Sequence, residues 1–298
     1  MSGFDLAAYL GERRQLVDDA LAAALPPDDT RPSSVHRAMR YSVMAGGKRL
    51  RPILVIGGAE AVGGKAESVM PTACALELIH TYSLIHDDLP AMDDDDYRRG
   101  RLTSHKVFGE AIAILAGDAL LTHAFELVAE NAARSGDPAL MRDVIVEVAS
   151  AAGTAGMVGG QVVDIESEGK AVTAETLEYI HLHKTAALIR ASLVVGARLG
   201  GGRPTDVATI GEAGRSLGLA FQIVDDILDV EGTLAELGKT AGSDERKQKA
   251  TYPALHGIEA SRAEARALIA RAKERLSSLG PGAAPLCALA DYIFERRS

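Results

Sequence analysis

Two clusters of aspartates lie far apart in the chain, each at the end of an apolar run with helical spacing. The six residues are Asp87, Asp88, Asp93, Asp225, Asp226 and Asp229. Carboxylates this close to core-forming residues are costly unless a cation compensates them. Mg2+ takes oxygen ligands and is usually held by a few carboxylates together with substrate phosphates. The clusters therefore predict a site for Mg2+ and a phosphorylated substrate.

The spacing within the second cluster places its carboxylates together. Asp225 and Asp226 precede Asp229 by four and three residues, so a helix would project all three to one side. Like charges repel there unless a cation joins them. The alternative for this cluster alone is a solvated helix face.

The first cluster contains a turn signal. Pro90 cannot continue a helix, so the helix is expected to end near Asp88 and the chain to turn before Asp93. Asp87, Asp88 and Asp93 could then converge on one ion. Taken alone, this run could equally be a solvated acidic loop.

Basic residues stand between and around the acidic clusters. The candidates are Lys48, Arg51, Arg98, Arg99, Lys184 and Lys239. Two glycines before Lys48 predict a helix end, which would put Lys48 and Arg51 in a loop. Arginine offers a planar fork to phosphate oxygens and lysine a point charge. Each of these basic residues alone could be a surface feature. Together they can hold one diphosphate without metal, in addition to a diphosphate that the acidic clusters bind through Mg2+.

These residues belong to an ordered set of motifs. The motifs are GGKRLRP at 46–52, HTYSLIHDDLPAMDDDDYRRG at 80–100, GDAL at 117–120, GQVVD at 160–164, HKT at 183–185, FQIVDDILD at 221–229, LGKT at 237–240 and KATYP at 249–253. The set resembles the trans-isoprenyl diphosphate (polyprenyl) synthases over nearly the whole chain, and most closely the bacterial farnesyl diphosphate synthases. Small departures are Leu102 in place of the usual proline, Tyr97 in place of leucine, and Ser243 where lysine is frequent.

The resemblance implies a reaction and a set of roles. Isopentenyl diphosphate would condense head to tail with an allylic diphosphate, dimethylallyl or geranyl, with several Mg2+ ions in the site. The implied metal ligands are first Asp87, Asp93 and Asp225, supported by Asp88, Asp226 and Asp229. The implied cations for the departing diphosphate are Arg98, Lys184 and Lys239, and those for isopentenyl diphosphate are Lys48, Arg51 and Arg99 with His80. Thr185 and Gln222 would place oxygens near the allylic cation.

The resemblance also implies a product. In the family, a large side chain at the fifth position before the first motif accompanies formation of farnesyl diphosphate, and Tyr82 holds that position here. We therefore expect farnesyl diphosphate. The alternative is a geranylgeranyl diphosphate synthase with a deeper pocket, closed by Pro90-Ala91 or by another helix.

Each assignment has a competing interpretation. A histidine on an apolar helix face, such as His80, is more often a core residue, and Thr185 and Gln222 could be packing residues. A terpene cyclase shares one aspartate-rich motif but consumes one allylic diphosphate alone. A catalytically silent subunit of a hetero-oligomeric synthase would be expected to lose part of a cluster, whereas both are intact.

Composition and periodicity predict an all-α protein. The chain has 298 residues, of which 47% are hydrophobic, with apolar residues at helical spacing and few alternating β-branched runs. No linker is evident, so residues 1–298 are expected to form a single domain. The resemblance implies an antiparallel helix bundle around a deep central cavity (the isoprenoid synthase fold). Helices are predicted at 4–24, 34–45, 51–62, 67–88, 105–134, 138–155, 157–167, 174–199, 205–230, 259–278 and 284–295.

Charge and composition narrow the partners. The net charge of −9, from 41 acidic and 32 basic residues, argues against a nucleic-acid partner. No continuous apolar run reaches ~18 residues, so integral membrane association is not expected. The two cysteines, Cys74 and Cys287, are expected to be buried thiols, compatible with a cytoplasmic location. The family alone implies a homodimer.

Overall fold

The computed structural model describes residues 4–231 and 251–296. Within these ranges the chain is almost entirely helical, which confirms the all-α prediction. The chain divides into two compact units. The expected single domain over 1–298, with its central cavity, stays a prediction.

The N-terminal unit comprises Ala7–Ile53 and Glu67–Ile145. Its elements are α1 (Leu6–Ala24), α2 (Ser33–Val43), the start of α3 (Leu50–Ala61), α4 (Ala66–Asp87), the strands β1 (Tyr97–Arg98) and β2 (Arg101–Leu102), α5 (Ser104–Phe108), α6 (Glu110–Ala133) and the start of α7 (Pro138–Ala152). The two strands form a small antiparallel hairpin.

Helix α4 runs through the core of this unit and carries the first acidic cluster at its C-terminal end. Leu76 and Ile79 on α4 are fully buried. Asn131 of α6 accepts hydrogen bonds from the backbone N–H (3.2 Å) and hydroxyl (2.8 Å) of Thr72, and its amide donates to the Ser68 carbonyl at 2.7 Å. Because buried polar groups are costly unless bonded, this triple contact fixes α4 against α6.

The C-terminal unit contains Leu54–Ala66 and the described residues after Ile145. Its elements are the rest of α3, the end of α7, α8 (Met157–Ser167), α9 (Ala174–Ile180), a π-helical turn (His181–Ala186), α10 (Ala187–Leu199), α11 (Pro204–Glu231), α12 (Tyr252–His256), α13 (Ile258–Ser277), a 3-10 turn (Pro281–Ala283) and α14 (Ala284–Glu295). Helix α11, which carries the second acidic cluster, packs against α10, α12, α13, α14 and the π-helical turn.

Helices α3 and α10 pack at close range through glycines. A Cβ at Gly196 would lie 2.0 Å from the Val55 carbonyl oxygen, and one at Gly58 would lie 2.4 Å from that of Leu193. Only glycine leaves room for the two backbones at these points.

The structure corrects several predicted boundaries. The predicted helix at 105–134 is two helices, because Gly109 has a φ of 82° and interrupts the chain between α5 and α6. The predicted helix at 174–199 contains the π-helical turn, and α12 and the β1–β2 hairpin were not predicted. Arg51 lies in the first turn of α3 rather than in a loop.

Two further features bear on the sequence analysis. Cys74 is buried, and burial raises the pKa of its thiol to about 12, whereas Cys287 is only partly buried, contrary to expectation. Among the described residues, only α6 is long and apolar enough to cross a membrane by length and composition. The core helix of a soluble protein can have the same composition.

Candidate active site

The first acidic cluster lies in a turn that follows α4. The Asp93 N–H donates to the Asp87 carbonyl at 2.8 Å, and the Asp94 N–H donates to that of Leu89 at 3.1 Å. Asp94 has a φ of 51°, which aspartate tolerates better than most residues. The turn predicted before Asp93 is therefore confirmed, and it places Asp87 and Asp93 at its two ends.

Asp88 is paired within the same unit. It is 3% exposed and receives hydrogen bonds from Arg98 Nε at 2.8 and 3.0 Å and from Arg98 Nη2 at 2.6 Å. Burial raises the pKa of the Asp88 carboxyl group, and the bonds from Arg98 oppose this rise. Asp88 and Arg98, expected to serve a metal ion and a diphosphate, thus also bind each other.

Arg99 packs on the loop between α2 and α3. Its Nη1 donates a hydrogen bond to the Gly46 carbonyl. A Cβ at Gly47 would lie 2.8 Å from the Arg99 guanidinium carbon, and the φ of Gly47 is 130°, so the position requires glycine. Lys48 lies in this loop, and Arg51 follows in α3.

His80 on α4 lies among the predicted phosphate-binding arginines. Burial, and then the positive charges of Arg51, Arg99, Arg98 and Arg49, lower the pKa of His80 well below its usual value. The imidazole is therefore neutral near pH 7 and can donate one N–H to a phosphate oxygen. The structure thus places three of the four predicted isopentenyl diphosphate residues, His80, Arg51 and Arg99, in one electrostatic neighbourhood.

Tyr82 lies on α4 just before the first cluster. The residue is 7% exposed, and its ring packs edge-on against His86, with the ring centroids 5.6 Å apart. Burial, and then the charge of Asp87, raise the pKa of the Tyr82 phenol. The side chain is therefore a neutral, buried ring close to the predicted metal ligand.

In the second cluster, Asp225 is paired with an arginine near the end of the described chain. Arg296 Nη2 donates to Asp225 Oδ1 at 2.5 Å and to the Phe221 carbonyl at 3.0 Å. The guanidinium carbon lies 3.9 Å from the centroid of the Phe221 ring. The Asp225 side chain is 40% exposed and that of Arg296 only 6%, so the arginine supports the carboxylate from its buried side.

Asp226 is buried and accepts several hydrogen bonds. Its Oδ1 accepts from Gln222 Nε2 at 2.9 Å, and its Oδ2 accepts from the backbone N–H of Tyr252 at 2.8 Å. His181 Nε2 lies 3.3 Å from the same Oδ2. Asp229 is similarly buried, at 5% exposure.

The π-helical turn presents Lys184 and Thr185. Lys184 Nζ donates to Asp164 Oδ2 at 2.6 Å, and the Thr185 hydroxyl donates to Gln222 Oε1 at 2.7 Å. Gly160 lies directly beneath, since a Cβ there would be 2.2 Å from the Lys184 backbone nitrogen. Single π turns are frequent at functional sites. Lys239 lies outside the described residues.

Sequence reasoning missed three residues that support the site. Arg49 and Arg296 contact predicted site elements from their buried sides, and His181 contacts Asp226. Arg49 follows Lys48, a predicted phosphate ligand, and nothing in the sequence shows that one of these neighbours binds phosphate while the other is buried. Arg296 and His181 carry no local signal, because their partners are distant in the chain.

The carboxylates of the two acidic clusters fit Mg2+ that is held jointly by the protein and by substrate phosphates. Within the described residues, no three His, Cys, Asp or Glu side chains converge as a ready-made metal site. Mg2+ is usually bound through one or two carboxylates plus substrate phosphates, and all the candidate ligands here are carboxylates. In the N-terminal unit the carboxylates that would hold it are Asp87 and Asp93, with Asp88 as a further candidate. In the C-terminal unit the first candidate is Asp225, with Asp226 and Asp229 as further candidates.

Comparison with known proteins agrees with this chemistry. The family model for polyprenyl synthetase matches residues 32–279. A dimethylallyltranstransferase from Fischerella ambigua is 52% identical over 98% of this chain and 84% of its own length. A geranylgeranyl diphosphate synthase from Cyanophora paradoxa is 47% identical over 100% of this chain and 98% of its own length.

A solved structure extends the comparison to the fold. The apo structure of an FPP/GFPP synthase from Zymomonas mobilis superposes with a TM-score of 0.86 at 37% identity, covering 97% of this chain and 99% of that one. With both acidic motifs and the basic residues around them present, the chain belongs to the polyprenyl synthetase family of prenyltransferases.

Proposed function

We propose that the protein catalyses Mg2+-dependent, head-to-tail condensation of isopentenyl diphosphate with dimethylallyl and geranyl diphosphates, giving (2E,6E)-farnesyl diphosphate. The observation that carries the proposal is the combination of six motif carboxylates with a separate group of guanidinium groups around His80. Carboxylates repel a diphosphate unless a metal intervenes, whereas guanidinium groups bind it directly. One chain can therefore hold two diphosphates by different means.

The residues divide between the two substrates. Arg98, Lys184 and Lys239 are proposed to hold the allylic diphosphate as it departs, beside the carboxylates. Arg98 is suited to this role because Asp88 fixes its fork. When bound, Mg2+ would supply Lewis-acid stabilisation of the charge on that leaving group.

Lys48, Arg51, Arg99 and His80 are proposed to bind isopentenyl diphosphate. The carbon–oxygen bond of the allylic diphosphate breaks, and its electron pair leaves with the diphosphate. The double bond of isopentenyl diphosphate attacks the resulting allylic cation, a carbon–carbon bond forms, and a proton is lost to the released diphosphate. The Thr185 hydroxyl donates to Gln222, so its own oxygen lone pairs are available to stabilise the allylic cation. Gln222 is in turn held by Asp226.

Tyr82 is the basis for the proposed chain length. One helical turn rises 5.4 Å, so Tyr82 lies a little over one turn before Asp87 on α4. A growing apolar chain that runs along α4 away from the carboxylates would meet this buried ring early. We therefore favour the fifteen-carbon product.

A second candidate is formation of geranylgeranyl diphosphate by the same mechanism. The observation that favours it is the 47% identity to a protein named geranylgeranyl diphosphate synthase. Under this alternative, Tyr82 does not limit the pocket.

The test is a product analysis. Purified protein is incubated with Mg2+, dimethylallyl diphosphate and isopentenyl diphosphate, and the dephosphorylated products are separated by chain length. We expect fifteen carbons from the parent and a shift toward twenty carbons from Tyr82→Ala, with Tyr292→Ala on α14 as the control that leaves the pattern unchanged. A twenty-carbon product from the parent would favour the second candidate.

The same assay separates other classes of protein. Consumption of allylic diphosphate without isopentenyl diphosphate would indicate a cyclase, and inactivity of the folded protein would indicate a silent subunit. We further propose a cytoplasmic location and a homodimer. Apolar residues that α6 exposes, Ile114 at 42% and Leu115 at 54%, support the homodimer. Light scattering at micromolar concentration tests the dimer.

A further inference from the structure

Arg49 lies between two predicted phosphate ligands, but its side chain points into the protein. The residue is 2% exposed. Lys48 precedes it in the loop, and Arg51 follows two residues later in the first turn of α3. The three basic residues of GGKRLRP, Lys48, Arg49 and Arg51, therefore do not share one environment. The central one faces the core of the N-terminal unit.

The Arg49 guanidinium joins three elements. Its Nε donates to Asp18 of α1 at 2.7 Å, its Nη1 donates to Glu77 of α4 at 2.8 Å, and its Nη2 donates to the Val43 carbonyl at the end of α2 at 2.8 Å. All three donor nitrogens have an acceptor, which is the condition under which a buried charge is tolerated. The side chains of Arg49 and Glu77 are 1% and 2% exposed.

The backbone at Arg49 is held in an unusual conformation. Its φ is 51°, a left-handed value that few non-glycine residues adopt. Such conformations persist where the surroundings over-determine them. The conformation sets the direction in which the chain leaves the loop and enters α3, and thereby the positions of Lys48 and Arg51.

The anchor also lies on the helix that carries His80. Glu77 and His80 are three residues apart on α4, so they are neighbours on one helix face. The Arg49–Glu77 pair thus fixes the loop bearing Lys48 to the helix bearing the imidazole. Arg99 is also hydrogen-bonded to Gly46 of that loop.

We propose that Arg49 is a positioning residue for isopentenyl diphosphate: it binds no phosphate itself and, through Asp18, Glu77 and the Val43 carbonyl, holds Lys48 and Arg51 in place beside His80. The proposal rests on the function proposed above. It assigns the middle basic residue of the motif a role different from that of its two neighbours.

The test compares direct substrate binding with stability. Arg49→Gln should weaken the binding of isopentenyl diphosphate roughly 10-fold or more, because small misplacements of binding groups are costly. Calorimetry without allylic substrate measures the dissociation constant, and steady-state kinetics measure the KM. The KM of the allylic diphosphate should change little. The melting temperature should fall, since Glu77 is left buried without its partner.

A double variant separates positioning from folding. In Arg49→Gln/Glu77→Gln no charge is left unpaired at Glu77, so the melting temperature should recover while binding of isopentenyl diphosphate stays weak. Arg49→Lys serves if the glutamine variant fails to fold, because it retains charge but lacks the fork. Asn131→Ala is the matched control, because it also loses buried hydrogen bonds to α4. It should lower the melting temperature without weakening the binding of isopentenyl diphosphate.

The outcomes discriminate clearly. The positioning role is overturned if folded Arg49→Gln and Arg49→Lys bind isopentenyl diphosphate within twofold of the parent. It is also overturned if Arg49→Gln loses affinity equally for both substrates, or if Asn131→Ala loses as much affinity for isopentenyl diphosphate as Arg49→Gln does. Recovery of binding together with melting temperature in the double variant also overturns it. Failure of the parent to bind isopentenyl diphosphate would instead overturn the proposed function.

Discussion

Neighbouring aspartates in the second acidic cluster meet different surroundings. The Asp225 side chain is 40% exposed, whereas Asp226 is 3% exposed and bonded to Gln222 and the Tyr252 backbone. Consecutive residues on a helix point about 100° apart, so a tandem pair places one carboxylate outward and the other inward. In the first cluster Asp88 is likewise buried and paired with Arg98.

The outward carboxylates should govern dependence on the metal. We expect Asp87→Ala or Asp225→Ala to lower kcat about 10³-fold, equivalent to about 4 kcal/mol of transition-state stabilisation. Steady-state assays over a Mg2+ titration measure this. The control is Asp206→Ala, which removes a carboxylate paired with Arg203 from the first turn of α11. Turnover in either motif variant close to that of the control would contradict the metal assignment.

His80 should make stability depend on pH. Its pKa is lowered in the folded protein, while the unfolded chain titrates near the ordinary value of about 6.5. The unfolded state therefore binds more protons below that pH, so this contribution is complete above about pH 6.5 and is lost as the pH falls toward the folded pKa.

Urea unfolding at pH 7.5 and pH 5.5 measures the effect. The fall in unfolding free energy between the two pH values should be smaller in His80→Gln than in the parent, because glutamine does not titrate. Equal falls in the two proteins would show that His80 is not the responsible group.

At the scale of elements, the π-helical turn is shaped by its neighbours. A Cβ at Gly160 of α8 would lie 2.2 Å from the Lys184 nitrogen, and one at Gly218 of α11 would lie 2.5 Å from the Ala186 Cα. Two glycines thus allow close approach on either side. The turn that carries Lys184 and Thr185 depends on tertiary packing more than on its own sequence.

Gly160→Ala should therefore be harmful. We expect it to destabilise the protein by about 2 kcal/mol or more, the range for overpacking, and to lower kcat by displacing Lys184. Gly11→Ala is the matched control, because no atom lies within 4 Å of a Cβ there and helix propensity alone should stabilise by about 0.5–1 kcal/mol. Thermal unfolding and kcat of both variants test this expectation. A Gly160→Ala variant as stable and active as the parent would show that close packing at Gly160 does not hold the π-helical turn in place.

The sequence predicted most helices because their apolar periodicity is local, and it predicted the turn after α4 because Pro90 is a local signal. It missed the break at Gly109 and the π-helical turn, since one depends on a single φ and the other on Gly160 and Gly218. In the site, motif residues could be named in advance. Their buried partners could not, because Arg49 and Glu77 are 28 residues apart and Arg296 and Asp225 are 71 apart.

At the scale of the whole molecule, net charge conceals local charge. The chain carries −9 overall, yet four arginines act together on His80 in the N-terminal unit. Composition alone therefore could not reveal this local group of positive charges. The proposed function uses both parts of this distribution, since the carboxylates need metal and the guanidinium groups do not.

The hydrogen bond from the Tyr252 backbone to Asp226 ties together the two stretches of chain that flank residues 232–250. Helix α11 before that interval also packs against α13 after it. The protein is therefore suited to being divided there into two complementing pieces. A site-specific protease sequence inserted within 232–250 should, once cut, give two bands on a denaturing gel but one peak in native size exclusion. Separation into two native peaks would mean that these contacts cannot hold the pieces together.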